Sequence, residues 1–172
     1  FLSYHDGTLR IPNRELMTKF NKVLLRNDIS SVYAITKMSE EMLRATWNMD
    51  FNTMAQIMET CHESEIDLMH YNNESSLTYV VSMVYLKARD YYKIVREEQS
   101  GKGYADFIFY PYRKQNPAIV LELKVDSTPE KAIQQIRDKN YIEKVKNYKE
   151  ILLVGIAYSK KDKKHTCKVE KL

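Results

Sequence analysis

The run from Pro117 to Val125, Pro-Ala-Ile-Val-Leu-Glu-Leu-Lys-Val, constrains this chain more than any other stretch. Apolar and β-branched residues at this density read as a strand inside a sheet. Side chains on a strand alternate between faces, so Glu122 and Lys124 project from the same side. Burying such groups is costly unless they are paired or hold a metal. A second strand-like run, Gly101 to Tyr110, precedes it across a short turn and places Asp106 among aromatic and aliphatic residues. The two runs predict neighbouring strands, with two carboxylates and one ammonium in an otherwise apolar setting.

The remaining sequence supplies a frame for that pair. Leu2 to Ile11 reads as a hairpin around Asp6-Gly7. Asn13 caps a helix whose stripe is Leu16, Met17, Phe20, Val23 and Leu24. Short helices follow from about Ser30 to Cys61, with Met42, Leu43, Trp47, Phe51, Met54, Ile57 and Met58 at helical spacing; the methionines and Trp47 read as core. His62 to Asn73 is polar, a loop or a frayed helix end. Asn72 or Asn73 then caps a helix from Glu74 to about Asp90, striped by Leu77, Val80, Val81, Val84, Tyr85 and Ala88. Tyr91 to Glu98 predicts a strand, Ser100 to Gly103 a tight turn, and Tyr104 to Tyr110 and Ala118 to Val125 two more strands. Ser127 or Thr128, followed by Pro129, opens a helix to about Tyr148 carrying Ala132, Ile133, Ile136, Tyr141 and Val145. Ile151 to Tyr158 is apolar almost throughout, as in a strand covered on both faces. Lys160 to Lys164 is a charged turn, and Thr166 to Val169 a last edge strand. A hairpin-connected antiparallel portion joined to a helical crossover implies a mixed sheet flanked by helices.

Composition narrows the functional classes. The 172 residues suffice for a sizeable core. Net charge is uneven. Residues 1–90 hold 9 Lys and Arg against 12 Asp and Glu, a net of −3, whereas residues 91–172 hold 18 against 11, a net of +7. The basic half contains the charged strands, which suits either a polyanionic partner or a lysine-rich solvated surface. No apolar run reaches the ~20 residues of a membrane span. Cys61 and Cys167 are far apart and in no ligand spacing, and a reducing, cytoplasmic setting is expected. His5, His62, His70 and His165 match no zinc spacing. Gly101-Lys102-Gly103 is too short for a phosphate loop, and no Gly-x-Ser-x-Gly elbow is present. What remains is the carboxylate–lysine set. Paired carboxylates on adjacent strands can share a hard cation such as magnesium, with a lysine beside it, although Glu122 and Lys124 alone could equally form a salt bridge.

Several stretches together carry a resemblance. They are Tyr4-His5-Asp6, Ile11-Pro12-Asn13, Asn73-Glu74, Ser100 to Asp106, Pro117 to Lys124, Ala132 to Tyr141 and Leu152 to Ala157. In this order the chain resembles the PD-(D/E)XK nuclease superfamily, within it the bacterial group whose nuclease domain follows an AAA-ATPase-like domain. The resemblance implies an α/β (α+β) fold, with a restriction-endonuclease-like mixed sheet flanked by helices and an N-terminal helical subdomain. Residues 1–61 would be a hairpin and helical segment leading from an upstream ATPase-like region, and residues 62–172 the nuclease-like domain. It also implies a Mg²⁺-dependent nuclease, with Mn²⁺ as a substitute, acting on nucleic acid, DNA in the first instance, by metal-activated water. Asp106 and Glu122 would be the metal ligands, Lys124 the catalytic lysine, Glu74 the helix carboxylate completing the site, and Gln135 a positioning group. Lys102, Lys139 and Tyr141 would meet substrate, with Tyr141 equally readable as core. Relatives commonly carry arginine where this chain has Tyr104, and Glu98 matches an acid before the turn. The alternative is an inactive module of the same fold that binds nucleic acid or protein beside an ATPase-like domain.

Overall fold

In the computed structural model the described residues are 3–5, 8–10, 27–65 and 74–172. They fall into two compact units, Phe1–Lys37 and Met38–Leu172. In the first, β1 (Ser3–His5) and β2 (Thr8–Arg10) pair antiparallel with Tyr4 opposite Leu9. The Asp6-Gly7 turn, the predicted helix after Asn13 and residues 66–73 lie outside the described residues.

The second unit is built on a five-stranded sheet in the order β3-β4-β5-β6-β7. These strands are Tyr92–Ser100, Gly103–Pro111, Ala118–Val125, Ile151–Ser159 and Lys164–Lys171. All neighbours are antiparallel except β5 and β6, which run parallel and are joined by the crossover helix α4 (Pro129–Asp138). The apolar run Ile151–Tyr158 is buried at every position, because helices cover the sheet on both faces. On one face lie α2 (Phe51–Glu65), α3 (Glu74–Val84) and the end of α1 (Asn27–Trp47), with Met42, Met54, Met58, Leu77 and Val81 packed among Phe107, Leu121 and Val154. On the other, Ile133 and Ile136 of α4 pack on Ile108, Val120 and Leu153.

The stripes predicted for the two later helices are buried as expected, but both helices end early. The run from Glu74 breaks after Val84 and continues as a 3-10 turn over Leu86–Asp90. The run from Pro129, capped by Thr128 Oγ1 accepting from the Lys131 N–H at 3.3 Å, stops at Asp138. There Asn140 takes a left-handed φ of 55°, a conformation asparagine tolerates well, and a 3-10 turn over Tyr141–Lys144 carries Tyr141 back into the core. Phe51, in the predicted apolar stripe, is exposed at the start of α2. His62 lies inside α2, so residues 62–65 are helix end and not loop.

Candidate active site

The site forms where β4 parts from β5. Their ladder pairs Phe109 with Ile119, Ile108 with Val120 and Phe107 with Leu121, and then stops. On the other side of β4, pairing with β3 includes Arg96–Phe107 and Glu98–Ala105 but skips the Glu97–Asp106 step, where Glu97 has a φ of 49°. Ala105 and Ile108 pack in the same cluster on the α4 face, so the two-residue alternation slips between them. Asp106 sits at that irregularity. Its Oδ2 accepts a hydrogen bond of 2.7 Å from the backbone N–H of Leu123, a donor that β4 no longer serves.

Glu122 follows the last position of β5 that pairs with β4, while β5 stays paired with β6 through Val125, and its side chain is on the α4 face. The residue is 2 % exposed. Its Oε1 accepts from Lys124 Nζ at 3.1 Å and from Gln135 Nε2, which α4 brings in from above. Its Oε2 is buried with no hydrogen-bond partner. Burial, and then the Asp106 charge, push the Glu122 carboxyl up to about 7, against the opposing pull of Lys124. A buried carboxylate oxygen without a donor fits an acceptor waiting for a cation. Magnesium is commonly held by one or two carboxylates, and this donor set supplies two. Among the described residues, no group of three or more His, Cys, Asp or Glu side chains could hold a metal ion.

The turn between β3 and β4 is clamped to the end of α4. The Lys102 N–H donates to the Lys139 carbonyl at 2.7 Å, and Ser100 Oγ donates to the Tyr141 carbonyl at 2.7 Å. Gly101 has a φ of 56°, and a Cβ there would stand 2.1 Å from the Lys139 oxygen. A Cβ on Gly103 would stand 2.9 Å from Tyr141 Oη. Tyr141 Oη in turn lies 3.4 Å from Gln135 Nε2. Glu98 pairs with Lys144 at 3.3 Å, which ties the hairpin to the same turn.

Glu122, Lys124, Gln135 and Tyr141 therefore form one side-chain network, and Asp106 adjoins it through the Leu123 N–H and its charge on Glu122. Lys102 and Lys139 are joined through backbone, with exposed side chains at its rim. Glu74 opens α3, and its side chain lies outside the described residues. Tyr104 is 61 % exposed on the diverging part of β4. Sequence reasoning missed the Leu123 N–H as the anchor for Asp106, because a backbone donor carries no residue signature.

A family profile described as the PD-(D/E)XK nuclease superfamily matches residues 73–168, more than half of the chain. The chain belongs to this superfamily. The match runs from the residue before α3 into β7, and so takes in the whole fork and the α4 crossover. The mixed sheet with helices on both faces is the restriction-endonuclease-like fold expected from the sequence. PD-(D/E)XK nucleases generally depend on a divalent metal and act on nucleic acid. No curated protein matches the chain. Among the described residues, no helix is long and apolar enough to cross a membrane.

Proposed function

We propose that the chain is a Mg²⁺-dependent nuclease, with Mn²⁺ as an alternative ion, that hydrolyses phosphodiester bonds of nucleic acid, DNA in the first instance. One observation carries the reading: the buried Oε2 of Glu122 lacks a donor while its Oε1 is held by both Lys124 and Gln135, beside the fork at Asp106. Asp106 and Glu122 would hold the cation. When bound, it supplies Lewis acidity, polarising a phosphoryl oxygen and acidifying water. The Lys124 ammonium stands against Glu122, where it can offset negative charge growing at phosphorus. Gln135 fixes Glu122 Oε1, and Tyr141 abuts Gln135 from the core side. Lys102 and Lys139, exposed at the rim, are suited to backbone phosphates. Glu74 would complete the site from α3. The open cleft past the carboxyl ends of β5 and β6 is not assigned to substrate. Its acids Asp126, Glu130 and Asp162 balance its lysines Lys131, Lys161 and Lys164.

In its cellular setting the domain would act in the cytoplasm as the C-terminal part of a longer chain with an ATPase-like region before it, residues 1–61 forming the connection. The decisive test incubates purified protein with single- and double-stranded DNA and RNA, with Mg²⁺, Mn²⁺ or EDTA. Metal-dependent cleavage that disappears in Glu122→Gln and Lys124→Ala, both still folded by circular dichroism, supports the reading. No cleavage of any substrate, with binding that ignores metal, would instead support an inactive nucleic-acid-binding module.

A further inference from the structure

His62 and His165 are separated by 103 positions, yet both are buried, at 6 % and 5 % exposure. His62 belongs to α2 and His165 to β7, and the two elements pack together on the sheet face away from Glu122. His62 Nδ1 lies 3.0 Å from His165 Nε2, and the remaining His165 nitrogen, Nδ1, is buried with no partner. Both rings also pack on Tyr158 of β6, with centroids at 4.8 and 4.7 Å. One hydrogen bond between two imidazoles needs one N–H and one lone pair. Protonating both rings sets N–H against N–H and leaves a charged ring with an unsatisfied donor in an apolar setting.

We propose that this pair is an acid-sensitive latch that docks α2 on β7 in the neutral state and releases it when the imidazoles are protonated. The groups around it do not rescue the charged form. On α2, Glu63 favours a charged His62, but burial outweighs it and holds that ring below its ordinary value. Glu59 of α2 and Asp126 beyond β5 act on the Tyr158 hydroxyl. On β7, Lys164 precedes His165, and Cys167 follows on the same buried face. Burial, with the His62 charge adding to it, holds His165 down to about 4 against an ordinary 6.5. A histidine depressed in the docked state binds its proton only on opening. Docking is therefore complete above pH 6.5 and weakens as pH falls toward 4. Between pH 7.5 and pH 5, His165 alone would raise the opening constant about 30-fold.

Cys61 and Cys167 form no disulfide, are buried, and flank the latch on α2 and β7. Their reaction with 4,4′-dithiodipyridine, normalised to a small thiol at each pH, reads the opening. The expected result is an acceleration of about 30-fold from pH 7.5 to pH 5 in the wild-type chain, and a much smaller one in His165→Phe, which leaves His62 as the one titrating ring of the pair and can still pack on Tyr158. If His165→Phe is unfolded at pH 7.5, His165→Gln takes its place with the same outcomes. Trp47 reports on a distant part of the unit, since the 12 residues from Phe51 to His62 span about 16 Å of helix. Its fluorescence should stay unchanged at pH 5. A flat wild-type profile, the full acceleration retained in the variants, or loss of the Trp47 signal in step with labelling would each overturn the latch.

Discussion

Asp106 closes the fork between β4 and β5 by accepting the Leu123 N–H at 2.7 Å, so a proposed metal ligand also replaces a missing rung of the sheet. Removing the carboxylate should then cost stability as well as activity. Asp106→Ala leaves a part-buried N–H without its acceptor and should destabilise the unit by about 1–3 kcal/mol. Asp106→Asn keeps an oxygen for Leu123 and should cost less. Both should lose metal-dependent cleavage. Urea midpoints for the two variants, set beside cleavage rates, separate the roles; equal midpoints for alanine and asparagine would show that the Leu123 bond contributes nothing.

Glu122 gives a pH signature. Its folded value of about 7 lies above the ordinary 4.5. A carboxyl raised in the folded state binds its proton more tightly there, so its contribution to stability is greatest below pH 4.5 and is lost as pH rises to about 7. The difference is about 3 kcal/mol. Glu122→Gln should remove this dependence, so the stability gap between variant and wild type in EDTA should widen in favour of the variant from pH 5 to pH 8. A gap that stays constant across that range would mean that Glu122 titrates normally.

The same raised carboxyl predicts protons released on metal binding. A cation at Asp106 and Glu122 requires the ionised form, and at pH 7 Glu122 is about half protonated. Calorimetry with Mg²⁺ or Mn²⁺ in buffers of different ionisation enthalpy should show about half a proton released per ion at pH 7, approaching none at pH 9. Proton release independent of pH, or no binding heat in the wild type, would count against the pair as the metal site.

The sequence already showed which residues would meet, because strand alternation puts Glu122 and Lys124 on one face and the hairpin turn brings Asp106 beside them. It could not show how they are held. The slip in β4 at Asp106 and the left-handed Glu97 are properties of three strands in register, with no local residue pattern. Helix length failed for a related reason: the apolar spacing through Tyr141 and Val145 suits an α-helix, but the turn at Asn140 buries the same side chains by another path. His62 and His165 looked scattered because their pairing depends wholly on α2 packing against β7.

The clamp on the hairpin predicts a graded pair of glycine variants. Gly103→Ala puts a methyl 2.9 Å from Tyr141 Oη, the end of a side chain, so the ring can shift slightly and draw away from Gln135. A loss of about 1–2 kcal/mol and a several-fold fall in cleavage are expected. Gly101→Ala meets the Lys139 backbone at 2.1 Å and also forces a left-handed alanine, so it should be the more damaging of the two. Thermal midpoints and cleavage rates for both variants test the order, and the reverse order would mean that the hairpin does not rest on α4.

The rim lysines should act through charge alone. Lys102 and Lys139 project exposed side chains from two segments that one backbone hydrogen bond holds together, so both should lie near the same stretch of phosphate backbone. Lys102→Ala and Lys139→Ala should each weaken nucleic-acid binding and reduce the slope of log K against log salt by about 1, with the thermal midpoint unchanged. Anisotropy titrations on labelled DNA between 50 and 200 mM salt, with Ca²⁺ in place of Mg²⁺ to suppress cleavage, give the slopes. An unchanged slope in both variants would remove the rim from the substrate path and leave the phosphate contacts to be sought elsewhere in the basic half.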